Sequence, residues 1–401
     1  MNVTGTTQKW RPAYNKMLYI VSGSNVSQPN YRYVCDVETT AGTRLARLKC
    51  DKVPTTNRGF FDVSRVVETL IVPTTPSLSE VGIVNHSGFT SGYRLQFYEE
   101  YGSTPVVITG SPTTVSGVGT FAGNLDQLEV ASWFSNTYFP PASIDVPVMR
   151  ALTSYADDTA GLVGQAKNPL ILQSDSHSWV AFGQAVSGNT VLQNIEVRYS
   201  TGRIYTIAVP SGSTNAIRLA CGPAQLKLLT SGQCSDGLPG SNQFPAANGQ
   251  VIILPESGGD YGLGITYKIA ECAQFNTMPV HYMNKYGGID TYLFTMKNRE
   301  RADITRQTYG ANSDVYATNT YDKMYSGEYT YTYTLQSDWL SNQDSQFLIE
   351  MIRSGQVWLQ IDGEMIEGIV QTNTYRFVTR RNDQLQQLQV EVMVAYRNSI
   401  L

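Results

Sequence analysis

Between Tyr329 and Leu335 the chain alternates without a break. Tyr329, Tyr331, Tyr333 and Leu335 are separated by Thr330, Thr332 and Thr334. Only an extended strand satisfies a period of two, because its successive side chains leave on opposite faces. The aromatic rings must therefore share one sheet face and the hydroxyls the other. The residues that follow are punctuated just as clearly. Ser341 precedes Asp344 in a capping-box-like helix start. Phe347, Leu348, Met351 and Ile352 form one helical stripe, and Gly355 supplies a stop. Val357–Ile361 and Met365–Val370 flank Asp362-Gly363, a two-residue hairpin signal. Arg376–Arg380 and Leu388–Tyr396 flank a second turn at Asn382-Asp383. In the last strand Leu388, Val390, Val392, Val394 and Tyr396 point inward. A unit of this kind ends in sheet edges, which can take up other chains.

At 401 residues the chain exceeds one ordinary core, and about two or three domains are expected. The segments divide as 1–135, 136–283 and 284–401. In the first, strands are expected at Met17–Ser22, Tyr31–Val37, Thr43–Cys50 and around Tyr93, Leu95 and Phe97. Asp62 caps a short helix whose apolar face is Val63, Val66, Val67 and Leu70. The Ser-, Thr- and Gly-rich run 103–135 reads as a thin β-meander or a packed loop, and Leu125–Phe134 as a short helix or strand. The middle segment carries evenly spaced candidates: Trp179–Ala185, Val191–Tyr199, Ile204–Val209, Ala216–Ala220, Val251–Leu254 and Ile265–Cys272. Such spacing predicts a β-sandwich. Asp303–Asp322 is polar and reads as a long connection or an exposed arm. The fold class expected is mainly β with minor α: strand-rich end modules, each with one short packed helix, around a middle sandwich.

Composition narrows function. Charged residues are 15% of the chain, against about 25% in ordinary domains. Its surface must therefore be covered by Ser, Thr, Asn, Gln and Tyr, which suits burial in an assembly or an extracellular β protein. Net charge is −4, and no basic run with interleaved aromatics occurs, so nucleic acid is not expected as a specific ligand. Five cysteines, Cys35, Cys50, Cys221, Cys234 and Cys272, show no CxxC or zinc spacing. They read as reduced, buried thiols, with Cys35–Cys50 or Cys221–Cys234 bridges as alternatives. No secretory leader and no membrane-spanning apolar run are seen.

No catalytic, cofactor-binding or metal-binding set is expected. Among the three histidines, His86, His177 and His281, only His177 has local partners, Asp175 and Ser176, and neighbours on a strand face opposite ways. It reads as a solvated strand-edge histidine, and His281 as structural. The acid pairs Glu99-Glu100, Asp157-Asp158 and Glu364 with Glu367 are poor glycosidase candidates for the same geometric reason. The glycine runs 116–123 and 256–264 lack the lysine and the following helix of a phosphate loop. What remains is the aromatic content, 25 tyrosines and five tryptophans. Exposed rings anchor interfaces or stack on sugars. The candidate interface and scaffold residues are Trp133, in the dense cluster ASWFSNTYFPP, with Tyr329, Tyr331, Tyr333, Trp339 and Trp358. Burial in the core is the expected role of Trp339 and Trp358.

The run RPAYNKMLYIVSGSNVSQPNYRYVCDVETTAGTRLARLKC, the following GFFDVSRVVETLI, and the later HYMNKYGGIDTYLF and LQSDWLSNQDSQFLIEMIRSGQVWLQIDGEMIEGIV together resemble structural proteins of tailed bacteriophages, especially those of Bacteroidota-type hosts. The resemblance covers the first and last thirds. It implies a virion component of the tail or baseplate with a tail-tube-like barrel or sandwich, assembled in the host cytoplasm. Its partners would be copies of itself in a ring and other tail proteins. The alternative is a receptor- or glycan-binding fibre or decoration protein that meets a host surface glycan. A hydrolase acting on cell-wall or capsular sugars comes third.

Overall fold

The computed structural model describes residues 1–5, 10–103, 107–125, 151–156, 169–183, 192–210, 216–270, 275–311, 321–372, 385–395 and 398–399. It is mainly β. In the N-terminal part a five-stranded sheet runs in the order Trp10–Pro12, Val107–Phe121, Thr90–Tyr101, Arg32–Thr39, Arg44–Asp51. A three-stranded sheet, Asn2–Gly5, Leu18–Ser22 and Arg58–Asp62, shares a core with it. That core alternates as the sequence requires: Tyr19 and Val21 from the small sheet meet Tyr33, Cys35, Val37, Tyr93, Leu95 and Phe97 from the large one. The helix is short, Ser64–Glu68. Its N-cap is Val63, with no side-chain cap, and not Asp62 as expected; Asp62 lies one residue earlier, its Oδ1 accepting from the amides of Ser64 at 3.1 Å and Met17 at 3.2 Å. The Thr- and Gly-rich run expected as a meander or loop is instead one 15-residue strand, Val107–Phe121, held by the ladder of Thr90–Tyr101.

The middle part packs two sheets face to face. One, in the order Leu170–Leu172, Ile265–Ile269, Gln250–Ser257, Asn194–Tyr199, Ile204–Ala208, carries Asp260–Tyr261 beside its third strand. The other is Trp179–Gly183, Ala216–Ala220 and Gly82–Asn85, so a strand from the first third completes it. Val180, Phe182, Ile217 and Leu219 meet Ile195, Val197, Val251, Ile253, Ile265 and Tyr267 between them. Cys35, Cys50, Cys221 and Cys234 are free thiols. Cys272 lies outside the described residues.

The C-terminal sheet has eight strands. Ile289–Phe294, Met278–Met283, Val357–Ile361, Glu364–Val370, Gln389–Val394, Tyr321–Gln336 and Arg299–Ala311 lie side by side, and Asn398–Ser399 also pairs with Tyr321–Gln336. The expected hairpin closes on Asp362 and Gly363, both at positive φ (50° and 80°), the two-residue turn whose twist matches the strands. The helix Asn342–Arg353 lays Leu348 and Met351 on Val280, Tyr282, Leu335, Val357, Leu359, Val390 and Val392. The side chains of Ser341 and Asp344, and the turn at Asn382-Asp383 with its Arg376–Arg380 strand, fall outside the described residues, as does Tyr396.

The three parts meet at one turn, 284–288. Asn284 donates from Nδ2 to the Leu152 carbonyl at 2.7 Å, and its Oδ1 accepts from the amides of Tyr286 and Gly288. The Asn124 amide donates to the Lys285 carbonyl at 2.8 Å, and the buried His86 donates from Nε2 to the Gly287 carbonyl at 3.2 Å. Around it Ala13, Phe89, Phe121, Ala122, Leu152, Ala216, Met283 and Tyr286 form one small core drawn from all three thirds of the chain. Gly287 sits at φ +78°, and a Cβ there would lie 1.6 Å from the Ala122 carbonyl oxygen. Gly287→Ala should therefore cost about 2–4 kcal/mol by displacing backbone, whereas Gly258→Ala, also at positive φ but facing open space, should cost about 1 kcal/mol. Thermal unfolding of the two variants checks this, and equal losses would remove the turn from its central place.

Candidate functional site

Arg299–Ala311 and Tyr321–Gln336 form a hairpin arm. The stretch expected as a connection or arm is thus strand, paired residue by residue from Arg299↔Thr334 to Ala311↔Tyr321. At its base Thr332–Gln336 pairs with Gln389–Val394, and Glu328 and Tyr329 pair with Ser399 and Asn398. Beyond that, among the described residues, the inner strand is paired only with the outer one. From Arg299 to Tyr309 every residue of the outer strand is exposed. A two-stranded ribbon is marginal in water by itself, so this arm relies on its base and on whatever covers it.

The two faces of the ribbon differ as the alternation demands. On one, Ala302 lies opposite Tyr331 and Ile304 opposite Tyr329. The rings of Tyr329 and Tyr331 meet edge-on at 5.6 Å. Tyr331 and Tyr333 pack on the C-terminal core and Leu335 is fully buried in it, while Ile304 stays 48% exposed. The apolar stripe therefore begins inside the core and runs out into solvent. The opposite face carries Asp303, Thr305, Gln307, Ser326, Glu328 and Thr330, which together with Tyr329 and Met393 line a groove of about 410 Å³. Arg299, Glu300, Arg301, Asp303 and Arg306 concentrate charge on the free edge. Such charges on an edge strand oppose indiscriminate edge-to-edge pairing.

Trp339 differs from expectation: it is 59% exposed, in the irregular link 337–339 between the Tyr321–Gln336 strand and the short strand Leu340–Ser341, where Leu340 instead is buried. Trp358 is buried, as expected. Trp133 lies outside the described residues.

A second polar feature, missed by sequence reasoning, is internal. Asp290 sits in the otherwise apolar strand Ile289–Phe294 and is 6% exposed. Glu350 comes off the inner side of the helix, accepting from Ser154 Oγ at 2.5 Å and facing Lys285 Nζ at 3.5 Å. Burial pushes the Asp290 carboxyl up to about 8, the nearby Glu350 adds to the shift, and Thr153 and Asn284 partly offset it. Burial likewise raises Glu350, against the pull of Lys285 and Ser154. One Asp290 oxygen, Oδ2, has no partner, which is where the proton of a neutral acid would sit. Glu350 reaches a cleft of about 390 Å³ lined also by Tyr14, Glu68, Lys285, Arg353 and Gln356. The sequence signal was the lone carboxylate inside an apolar strand.

The acid pairs singled out earlier are kept apart. Glu99 accepts from Tyr31 and Asn25, while Glu100 on the opposite face holds Lys49. Glu364 and Glu367 are exposed, and Asp157-Asp158 lies outside the described residues. His177 is half-buried, its Nδ1 3.4 Å from Gln360 Nε2. His281 is fully buried, with Nδ1 2.9 Å from Thr291 Oγ1 and its ring edge-on to Trp179. Burial lowers His281 to about 3 and His86 to about 4, so both are neutral. Among the described residues, no three His, Cys, Asp or Glu side chains are grouped to hold a metal ion, and no helix is long and apolar enough to cross a membrane. No protein-family model matches the chain, and no curated protein matches it.

The shifted groups act on stability from opposite sides. Asp290 binds its proton more tightly folded than unfolded, so its contribution is lost as pH rises from the ordinary carboxylate range towards about 8. The two histidines bind theirs more weakly folded, so stability falls as pH drops below their ordinary value of about 6.5. Asp290→Asn should gain on the wild type by at least about 1 kcal/mol more at pH 8 than at pH 5. Denaturant titrations at both pH values measure this, and a pH-independent difference would contradict the assignment.

Proposed function

We propose that this chain is a structural component of a phage tail or baseplate and assembles as a ring through subunit contacts. The observation that carries the reading is the amphipathic arm. Its apolar face leaves the core and is left uncovered at Ile304 by the described residues of its own chain. Contiguous exposed apolar surface, here Ala302 and Ile304 beside the half-buried Tyr329, marks a place where another chain packs. The charged free edge directs that packing to the face of the ribbon rather than to its edge. Head-to-tail docking of one face onto a different surface of the next copy closes into a ring when the rotation permits. Low overall charge supports the same reading, since weakly charged surfaces lose little hydration on burial. The resemblance of the first and last thirds to tail structural proteins supplies the particular setting.

Native mass spectrometry and negative-stain imaging of the purified chain test the reading. The expected result is a closed oligomer at micromolar concentration. Ile304→Asp should weaken assembly by about tenfold or more while leaving the thermal midpoint within about 2 °C, because the residue is half exposed in the single chain. A wild-type protein that stays monomeric at about 100 μM, well above typical assembly affinities, would refute it.

A further inference from the structure

The polar face of the arm is built differently from an ordinary solvated strand. The pairing register slips between Gln307 and Thr308, so that Tyr325 and Ser326 both stand opposite Gln307. A bulge of this kind turns an extra side chain onto one face. Here it brings Tyr325 onto the polar side, where its hydroxyl donates to Gln307 Oε1 at 2.5 Å. Tyr309, two residues beyond Gln307, meets the Tyr325 ring at 6.2 Å and 63°. Both rings are open to solvent, 49% and 56% exposed, and neither belongs to a hydrophobic core. Gln307 and Ser326 line one end of the groove of about 410 Å³, and the exposed ring pair stands next to that end through the Tyr325–Gln307 hydrogen bond. Its carboxylate at Asp303 is fixed, held by Arg301 Nε at 2.9 Å and by the Thr332 hydroxyl at 3.0 Å.

We propose that this trough, from Asp303 to the Tyr309–Tyr325 pair, binds a neutral oligosaccharide. The lining chemistry selects that class. Thr305, Ser326 and Thr330 offer hydroxyls that both donate and accept, Gln307 an amide, and Asp303 and Glu328 acceptors. Sugar hydroxyls need this mixture of donors and acceptors, and the apolar C–H face of a pyranose packs on an exposed ring. Asp303 is already paired with Arg301, so among the described residues the trough offers an anionic ligand no unpaired cation at that end. An extended peptide is disfavoured in the trough because strand addition takes place at the edge of a ribbon and not on its face. Six strand steps from Asp303 to Tyr309 span about 20 Å, enough for several sugar units. The site lies on the face opposite Ile304, so it stands or falls separately from the assembly reading.

Titration calorimetry and ligand-observed NMR of the full chain test it, with short neutral gluco-, manno-, galacto- and N-acetylglucosamine oligomers as probes and oligogalacturonate as the acidic comparison. At least one neutral oligomer should bind. Tyr325→Ala and Tyr309→Ala should each weaken it about tenfold, and Ile304→Ser should leave it unchanged. Oligogalacturonate should bind at least about tenfold more weakly. Both tyrosines are exposed, so unchanged thermal midpoints are expected and will show that the variants fold. The proposal is overturned if no neutral oligomer binds at up to about 10 mM, if the tyrosine variants bind like the wild type, or if the acidic oligomer binds equally well.

Discussion

The close approach of the 284–288 turn to the Ala122 and Leu152 carbonyls holds the rest of the architecture in place. The parts also touch through the strand Gly82–Asn85 in the middle sheet and through Ile289 against Trp179 and Ala220, but only at this turn do backbone groups of all three come together. Here Asn284, Gly287 and Gly288 bring three distant segments to backbone contact, and the space admits no added Cβ at either glycine. His86 and Asn124 reach the same turn from the N-terminal part, and Ser154 and Lys285 meet Glu350 from the middle and the turn itself. Asp290 follows directly in the strand that leaves the turn, so the burial that makes the junction rigid also makes its carboxyl a weak acid. A neutral acid can donate one hydrogen bond and needs no counter-charge, which makes it tolerable where an ionised group would not be.

Rigidity at the junction matters for the arm. The Tyr321–Gln336 strand is 16 residues long, and its base is clamped between Gln389–Val394 and the outer strand. The ribbon beyond carries no core of its own. Its direction is therefore set by the sheet from which it grows, and the sheet is fixed to the rest through Met278–Met283 and the turn that follows. Different faces can serve different partners because the period of two keeps apolar and polar residues apart. The bulge at Gln307 is the one local departure from that order, and it adds a ring to the polar side without disturbing the apolar one.

Much of this was legible in the sequence wherever period and punctuation agreed. The strands of the middle sandwich, the helix stripe through Leu348 and Met351, and the Asp362-Gly363 hairpin all follow local rules. The two stretches that the sequence left open, 103–135 and Asp303–Asp322, share one cause. Val107–Phe121 and Arg299–Ala311 are strands whose own side chains bury little, so neither shows the hydrophobic alternation by which strands are recognised. Their order comes from a neighbouring ladder, which is long-range information. Trp339 was expected in the core, but it is Leu340, the next residue, that turns inward there. The Asp290–Glu350 pair joins residues far apart in the chain, and only the lone acid among Ile289, Thr291, Tyr292, Leu293 and Phe294 hinted at it.

The scarcity of charge also takes on a structural meaning. Several of the few charged residues are spent inside. Arg218 and Trp179 grip Glu80, and Arg203 holds Asp236 and the carbonyls of Pro239, Leu238 and Asn242 while lying over Tyr205. Asp36 and Glu38, both buried, pair with Arg47 and Arg94. The first two fix loops and the last two tie neighbouring strands, and none adds much stability, since desolvation offsets most of the Coulomb gain. The surface that remains is hydroxyl, amide and aromatic. It attracts no long-range counter-charge, so recognition must come from shape, stacking and short hydrogen bonds. The hairpin arm presents those three elements on two opposite faces, which is why both proposed contacts of this chain converge on it.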